Sequence, residues 1–341
     1  MAEKTKLGRT LVIANPVSQS GKGREAAEFV DRFLQSFSNA TTAYKMVMTS
    51  GPGDATGIAA KAQGYDTVIA IGGDGIIHET VNGLMKIKAG SRPAFGVIPI
   101  GSGNDYARTL HLALNDPTAS LGQVLNGTRM MLDLGLCNGV YFCETLSFGL
   151  DAAIALDTME RRKRTGAHGT RLFAESGYDI FRSYTHGWKY TASLDGGKRF
   201  SGEEIAFACQ VGPTYGGGFK ICPEASPVDG KLDLCYNTRM PSKPAALALF
   251  ARTRLGLHCS SPTVKIETFK HLNVTFDEEP PVQIDGEKMT GRRFEVSVQP
   301  QALEVIVPNS FPWNPNRVEP EKLRPMDGLL GTKLSEKVRG E

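Results

Sequence analysis

A parallel α/β unit followed by an antiparallel β-domain, a sandwich in form, is the fold class this sequence predicts. Three observations carry it. In the first third, apolar runs alternate with amphipathic stretches in βαβα order, and parallel strands need helical crossovers of that kind. From about Leu132 the text changes to short strands separated by turn residues. Three early strands also run into loops of glycine and other small residues, at the strand ends where parallel sheets bind their ligands.

The elements follow in order. "TLVIANP" is a strand, and "GREAAEFVDRFLQSF" a helix with Ala27, Val30 and Leu34 at helical spacing. "AYKMVMTS" is a strand, "DATGIAAKAQ" a helix, "TVIAIGG" a strand, "IIHETVNGLMKIK" a helix and "AFGVIPIGSG" a strand. A further helix starts near "NDYARTL". After Leu132 come strands such as "LDLGLCNGVYFCETLSFG", "EIAFACQVG", "KLDLCYNT", "LNVTFD", "RRFEVSVQP" and "LEVIVP". Two helical pieces interrupt them, "RLFAESGYDIFRSY" and "PAALALFARTRLG". Beyond Pro308 prolines and charges replace periodicity, which reads as a surface extension.

Composition narrows the function classes. The 341 residues suggest two domains, and 40% apolar content supplies a core that needs no staples. A net charge of +3 argues against a dedicated nucleic-acid binder. The six cysteines never form C-x-x-C and sit in apolar text, so buried reduced thiols are expected. The N-terminal apolar run reads as a first strand, and no run reaches the ~20 apolar residues of a membrane span. A cytoplasmic protein is the expectation.

Five stretches hold chemistry. "NPVSQSGKG" (Asn15 to Gly23) departs from the P-loop pattern at Pro16 and Gly23; it is either a plain strand-to-helix turn or a phosphate-facing loop with Lys22 nearby. "GGDGIIHETVNGL" puts Asp74 where a phosphate would be expected, with Glu79 five residues on; the alternative is an Asp capping a helix. "PIGSGNDYARTL" brings Gly101, Ser102 and Gly103 to a helix start, and Arg108 there pairs with Asp105 or meets a phosphate. "TYGGGFKICPEASPVDGKLDL" holds Asp229-Gly230, a hairpin turn or a carboxylate ligand for a hard cation. "VQIDGEKM" reads as a hairpin with Asp285-Gly286 at its tip and Glu287 just beyond. The basic cluster "MERRKRTGAHGTR" reads as a solvated face, with contact of Arg161 to Arg164 to anionic lipid headgroups as the alternative.

These residues, in this order, resemble the diacylglycerol kinase catalytic-domain family, which includes bacterial diacylglycerol kinases and the sphingosine and ceramide kinases. The resemblance spans about Leu11 to Pro308. It implies a three-layer α/β domain like that of NAD kinase and phosphofructokinase over 1–132, a β-sandwich lipid-substrate domain over 133–310, and an extension over 311–341. It implies an ATP-dependent lipid kinase that moves a γ-phosphoryl group to a lipid hydroxyl and uses Mg²⁺. The alternatives are a kinase of a soluble metabolite on the same fold and a non-catalytic nucleotide-binding regulator.

Carried over by position, the family pattern places nucleotide contacts at Asn15, Pro16, Val17, Ser18, Thr49, Gly72, Gly73, Asp74, Gly75, Ile76, Ile77 and His78. Glu79, Ser102, Gly103 and Asn104 complete this expected nucleotide-binding set. Glu287 matches the general base. Asp74, Asp105 and Asp133 match acids linked to the catalytic Mg²⁺ through water, and Arg108 is the candidate cation beside them. Asp229 matches a carboxylate of a structural Mg²⁺ site, with carbonyls from Ser226 and Lys231. Ile76 and His78 stand where the family has Thr and Asn, as in the sphingosine-kinase branch. The implied partners are a lipid substrate at a membrane surface, with peripheral association during turnover, no nucleic acid, and a homodimer as an open option.

Overall fold

The computed structural model describes residues 7–37, 39–165, 170–183 and 186–313; the expected extension beyond residue 313 lies outside them. In chain order the first part holds β1 (Arg9–Ala14), α1 (Lys22–Ser36), β2 (Ala43–Met48), α2 (Asp54–Ala59) and β3 (Thr67–Gly72). Then come α3 (Asp74–Leu84), β4 (Ala94–Pro99), α4 (Asp105–Thr109) and α5 (Pro117–Leu125). The β-rich part opens with β5 (Thr128–Cys137), β6 (Val140–Phe142), β7 (Thr145–Gly149), α6 (Leu150–Thr165) and α7 (Thr170–Ser183). It continues through β8 (Trp188–Leu194), β9 (Lys198–Glu204), β10 (Ala206–Gln210), β11 (Leu232–Asn237), α8 (Lys243–Thr253) and β12 (Val264–Phe269). It closes with β13 (His271–Phe276), β14 (Val282–Ile284), β15 (Glu287–Met289) and β16 (Arg293–Val307).

The expected fold class is the one observed. Strands β2-β1-β3-β4 run parallel, and β3 and β4 are buried along their whole length. Strands buried on both faces read as continuous apolar runs, as "TVIAIG" does. Helix α1 turns Ala26, Ala27, Val30 and Leu34 to one face of the sheet. Helix α3 turns Ile77, Val81 and Leu84 to the other. The result is three layers.

Behind it, β12-β11-β10-β7-β14-β15 form an antiparallel sheet that packs on the β13, β8 and β16 end of the first. Aromatic side chains from both sheets fill the gap. Phe148 of β7 lies 4.9 Å from Phe294 of β16 and 5.3 Å from Phe276 of β13, ring centre to ring centre. Strand β13 alternates exposed and buried residues, as a strand with one wet face must.

Two features were not visible in the sequence. The first is that the parallel sheet and one layer of the sandwich are a single sheet, joined by β16. Its first half pairs with β13, its second with the start of β5, and Val305 pairs with Phe95 of β4. The sequence suggests two strands there because a register shift between Gln299 and Leu303, with Gln301 at φ 48°, interrupts the alternation. The second is α6. Its text runs from apolar "LDAAIAL" into "DTMERRKRT", with no single stripe to mark a helix.

Candidate active site

Three strand ends deliver three loops to one edge. The β1 loop is closed on itself: Asn15 Oδ1 accepts the Val17 N–H at 3.1 Å, and Ser18 Oγ donates to the Asn15 carbonyl at 3.1 Å. Val17 is exposed and Pro16 buried. Thr49, at the end of β2, donates its N–H to Ala14 beside this loop at 2.8 Å. The β3 and β4 loops meet glycine to glycine. A β-carbon on Gly101 would stand 2.5 Å from the Gly73 α-carbon and 2.4 Å from Asn104 Oδ1, so no larger residue fits.

Asp74 binds the second loop to the third. Its Oδ2 accepts the Asn104 N–H and its Oδ1 the Asp105 N–H, both at 2.8 Å. Asp74 therefore does not cap its own helix, the alternative reading, but holds the two N–H groups that open α4. Gly73, Asp74 and Gly75 remain partly exposed at the start of α3, whereas Gly72 is buried at the end of β3. Ile76 and Ile77 bury their side chains in the core, which leaves only their backbone to meet a nucleotide. Gly103 and Ser102 remain partly exposed at the turn, whereas Asn104 is buried in a left-handed conformation that asparagine tolerates.

The β-rich half reaches this edge at two acids. Asp105 accepts N–H bonds from Gly217 at 2.9 Å and Gly218 at 3.0 Å. Asp285 accepts from the N–H groups of Cys143, Glu144 and Thr145 at 2.9, 3.0 and 3.0 Å, and its Oδ2 lies 3.0 Å from His78 Nδ1. "VQIDGEKM" is the expected hairpin, with Asp285 and Gly286 both at positive φ, as a two-residue turn of this kind requires. That turn sets Glu287 at the cleft: a β-carbon on Gly75 would lie 3.4 Å from Glu287 Oε1.

Burial raises the carboxyls of the acid pair, as it does those of Glu144, Asp151 and Glu204. Burial raises the Asp74 carboxyl, against the two N–H bonds that lower it, and the Asp285 charge adds to the rise. Burial and the neighbouring Asp74 charge push Asp105 up to about 7. A β-carbon on Gly103 would be 2.7 Å from Asp74 Oδ2 and 3.2 Å from Asp105 Oδ2. Two carboxylates this close, each rooted in backbone N–H groups, disfavour joint ionisation unless a cation joins them. Arg108 lies beside them and donates from Nε to the Gly103 carbonyl at 3.0 Å.

Other expected site residues stand elsewhere. Glu79 caps α2, accepting from the Gly53 and Ala55 N–H groups at 2.7 and 3.1 Å. Asp133 sits with the Asp229 loop: it accepts from Gly230 N–H at 2.7 Å and from Gln301 N–H, at the β16 irregularity, at 2.8 Å. Burial raises its carboxyl, and the Asp229 charge contributes. Asp229 accepts the Lys231 N–H at 3.0 Å, with Ser226 buried and Lys231 exposed on the same turn. Among the described residues no three acids, histidines or cysteines are arranged to hold a metal directly. His78 is buried and faces Asp285.

Sequence reasoning places Arg162 in a basic cluster but not beside the acids. Arg162 of α6 has a buried Nε without a hydrogen-bond partner, and the Asp74 charge acts on its guanidinium. It belongs to a cluster that reads as solvated. Only the helical phase of α6 separates it from Arg161, which is ion-paired to Asp157 and Asp179 at 2.6 Å each, and from exposed Arg164.

Comparison with known proteins agrees with this geometry. Residues 9–137 match the diacylglycerol kinase catalytic domain, and residues 144–307 match the YegS C-terminal NAD kinase beta sandwich-like domain. The chain is 32% identical over 286 residues to the diacylglycerol kinase of Bacillus subtilis (strain 168), covering 82% of this chain and 89% of that protein. It is 28% identical over 251 residues to a Yersinia pestis (strain Pestoides F) protein named "Probable lipid kinase YegS-like", covering 72% and 80%. A solved diacylglycerol kinase structure from Bacillus anthracis str. Sterne shares the fold, with a TM-score of 0.73 at 21% identity over 89% of this chain and 98% of that one. Both halves match in order around one cleft of loops and acids, and the chain belongs to the diacylglycerol kinase family and is a kinase.

Proposed function

We propose that the protein is an ATP-dependent lipid kinase that transfers the γ-phosphoryl group to the hydroxyl of diacylglycerol or a related lipid alcohol. The observation that carries this reading is the approach of Glu287, from the β-rich half, to the glycine turn at Gly75. Phosphoryl transfer needs positioning and charge stabilisation more than covalent help from the protein. The turn of Gly73 to Gly75 at the start of α3 and the partly exposed Ser102–Gly103 turn suit phosphates, whereas the N–H groups of Asn15, Val17, Ser18 and Asn104 are taken within the protein. Glu287 then takes the proton of the acceptor hydroxyl as its oxygen bonds to the γ-phosphorus and the bond to the bridging β-phosphate oxygen breaks, with ADP leaving. Arg162 and Arg108 bring positive charge to the same place.

Asp74 and Asp105 suit a magnesium ion held largely through water, because Mg²⁺ keeps several waters and needs only one or two carboxylates. When bound, it neutralises charge on the phosphates. Asp229, with the Ser226 and Lys231 carbonyls, is the candidate for a second, structural ion, and Asp133 braces that turn.

An apolar cavity between α6, α8 and the antiparallel sheet is lined by Ile154, Ile205, Tyr215, Ala246, Leu249 and Phe250, among others. Helix α6 joins it to the chemistry: Ile154 lines the cavity, whereas a β-carbon on Gly286 would touch Met159 at 3.7 Å. Five residues of helix span about 7.5 Å, which supports an acceptor whose head points along α6 toward Glu287. This favours a lipid over a soluble acceptor. No helix among the described residues is long and apolar enough to cross a membrane, and the proposed enzyme works peripherally, from the cytoplasm.

The test is ATP-dependent labelling of a total lipid extract, with products identified by mass, for the wild type and Glu287→Gln. The expected loss is about 10²–10⁴ in turnover with nucleotide binding retained. Full activity in the variant removes Glu287 as the base, and labelling of water-soluble acceptors alone removes the lipid reading.

A further inference from the structure

Helix α8 has two apolar faces. Ala246, Leu249, Phe250 and Thr253 turn inward and line the cavity. The outward face carries Pro244, Ala245, Leu247, Ala248 and Ala251, all exposed. A surface helix normally sets polar residues against solvent; one that is apolar all round has an apolar neighbour on both sides. The next turns continue the patch, since Leu255 and Leu257 are 68% and 53% exposed and Leu247 is 55% exposed. Tyr178 of α7, 66% exposed, belongs to the same corner, because Phe181, one turn on, packs against Phe250 with ring centres 5.8 Å apart. Four of the seven large exposed apolar side chains among the described residues thus gather here, which scatter over a surface does not explain.

The charges that α8 itself sets beside the patch are cations, while the acids Glu175, Asp179 and Glu224 stand at its edges. Lys243 and Arg252 are the charged residues of α8, and Arg254 follows it. Lys243 donates to the Arg182 carbonyl, Arg252 to the Leu257 carbonyl and Ser260 Oγ, and Arg254 to the Gly217 carbonyl. Among the described residues none of the three is hydrogen-bonded to a carboxylate. A rim of cations around exposed leucines is the pattern of a helix lying in a lipid interface. Anionic headgroups attract such cations, and the tyrosine suits headgroup depth.

We propose that the outer face of α8, with Leu255, Leu257 and Tyr178, is the surface by which this kinase lies on an anionic lipid bilayer. Helix α8 is then the wall between the acyl layer and the acceptor cavity. The surface deepens the proposed function and rests on it only for the identity of the cavity's occupant. A second copy of the chain is the competing occupant, but two such rims would set cation against cation.

The experiment is co-sedimentation of the full chain with vesicles of phosphatidylcholine, with and without phosphatidylglycerol. The wild type is expected to bind the anionic vesicles, and roughly fivefold more weakly for each cation that lacks an anionic partner. Leu247→Asp combined with Leu255→Asp and Leu257→Asp is expected to lower the partition coefficient at least roughly tenfold. Turnover of a monomeric short-chain acceptor and the thermal midpoint should be unchanged, because none of the three leucines lines the cavity. Unaltered vesicle binding by the triple variant overturns the proposal. So does a wild-type dimer in sedimentation analysis that the triple variant dissolves without lipid. Vesicle binding that depends on these leucines in a protein unable to phosphorylate any lipid retains the surface and discards the lipid-kinase reading.

Discussion

His78 Nδ1 lies 3.0 Å from Asp285 Oδ2, a buried contact between residues 207 positions apart in sequence. It locks α3, which begins at the glycine turn, to the hairpin that presents Glu287. Asn82, one turn further along α3, reinforces the link with paired bonds to the Tyr141 backbone at 2.9 and 3.0 Å. The two halves of the cleft are therefore registered by side chains that touch no substrate in the proposed mechanism. His78 and Asp285 are positioning residues.

Replacing His78 by Gln should lower kcat more than it raises KM for ATP. It should also change the pH dependence of stability. Burial pulls the imidazole down, but the Asp285 hydrogen bond and charge, with Glu287 and Glu79, outweigh it and leave the group above its usual 6.5. A raised folded value stabilises fully below about 6.5 and loses that contribution as pH rises past the shifted value. The gap between wild type and variant in denaturant unfolding should therefore narrow with rising pH. A gap independent of pH would mean that the imidazole is neutral throughout.

Asp105 predicts a metal-linked effect. Its usual value of 3.8 is pushed up to about 7 by burial first and the Asp74 charge second. Without divalent cation, the stability it confers is complete below about 4 and is lost as pH rises to about 7. Thermal midpoints should fall across that window for the metal-free protein, fall less with Mg²⁺ and nucleotide, and fall least for Asp105→Asn. Equal slopes for wild type and variant would place the titrating group elsewhere.

Arg162→Gln should cost about 10²–10³ in kcat/KM and leave the thermal midpoint within a few degrees. Arg161→Gln, on the same helix but turned to its acid partners, should lose little activity. If the two variants behave alike, the inward guanidinium has no part in transfer.

Ala246→Phe fills the cavity from α8. KM for a long-chain acceptor should rise roughly tenfold, while a short-chain acceptor keeps its rate within about twofold. A uniform loss on both would indicate a folding defect or a chain path outside this cavity.

The sequence by itself determined the parts. Alternation and apolar runs fixed the parallel layers and the one-sided strands, because burial on one face or two leaves a period that can be read locally. Gly73, Gly101, Asp285 and Gly286 were legible as turns because close approach and positive φ permit few residues there. What each acid does was decided only by the tertiary structure. Asp74 and Asp105 meet because Gly73 packs on Gly101, Glu79 and Asp133 brace α2 and β16, and Arg162 faces inward by the phase of a helix whose text shows no stripe. A carboxylate's role depends on which N–H groups, charges and cleft surround it. Those neighbours come from up to two hundred residues away, where no local pattern can name them.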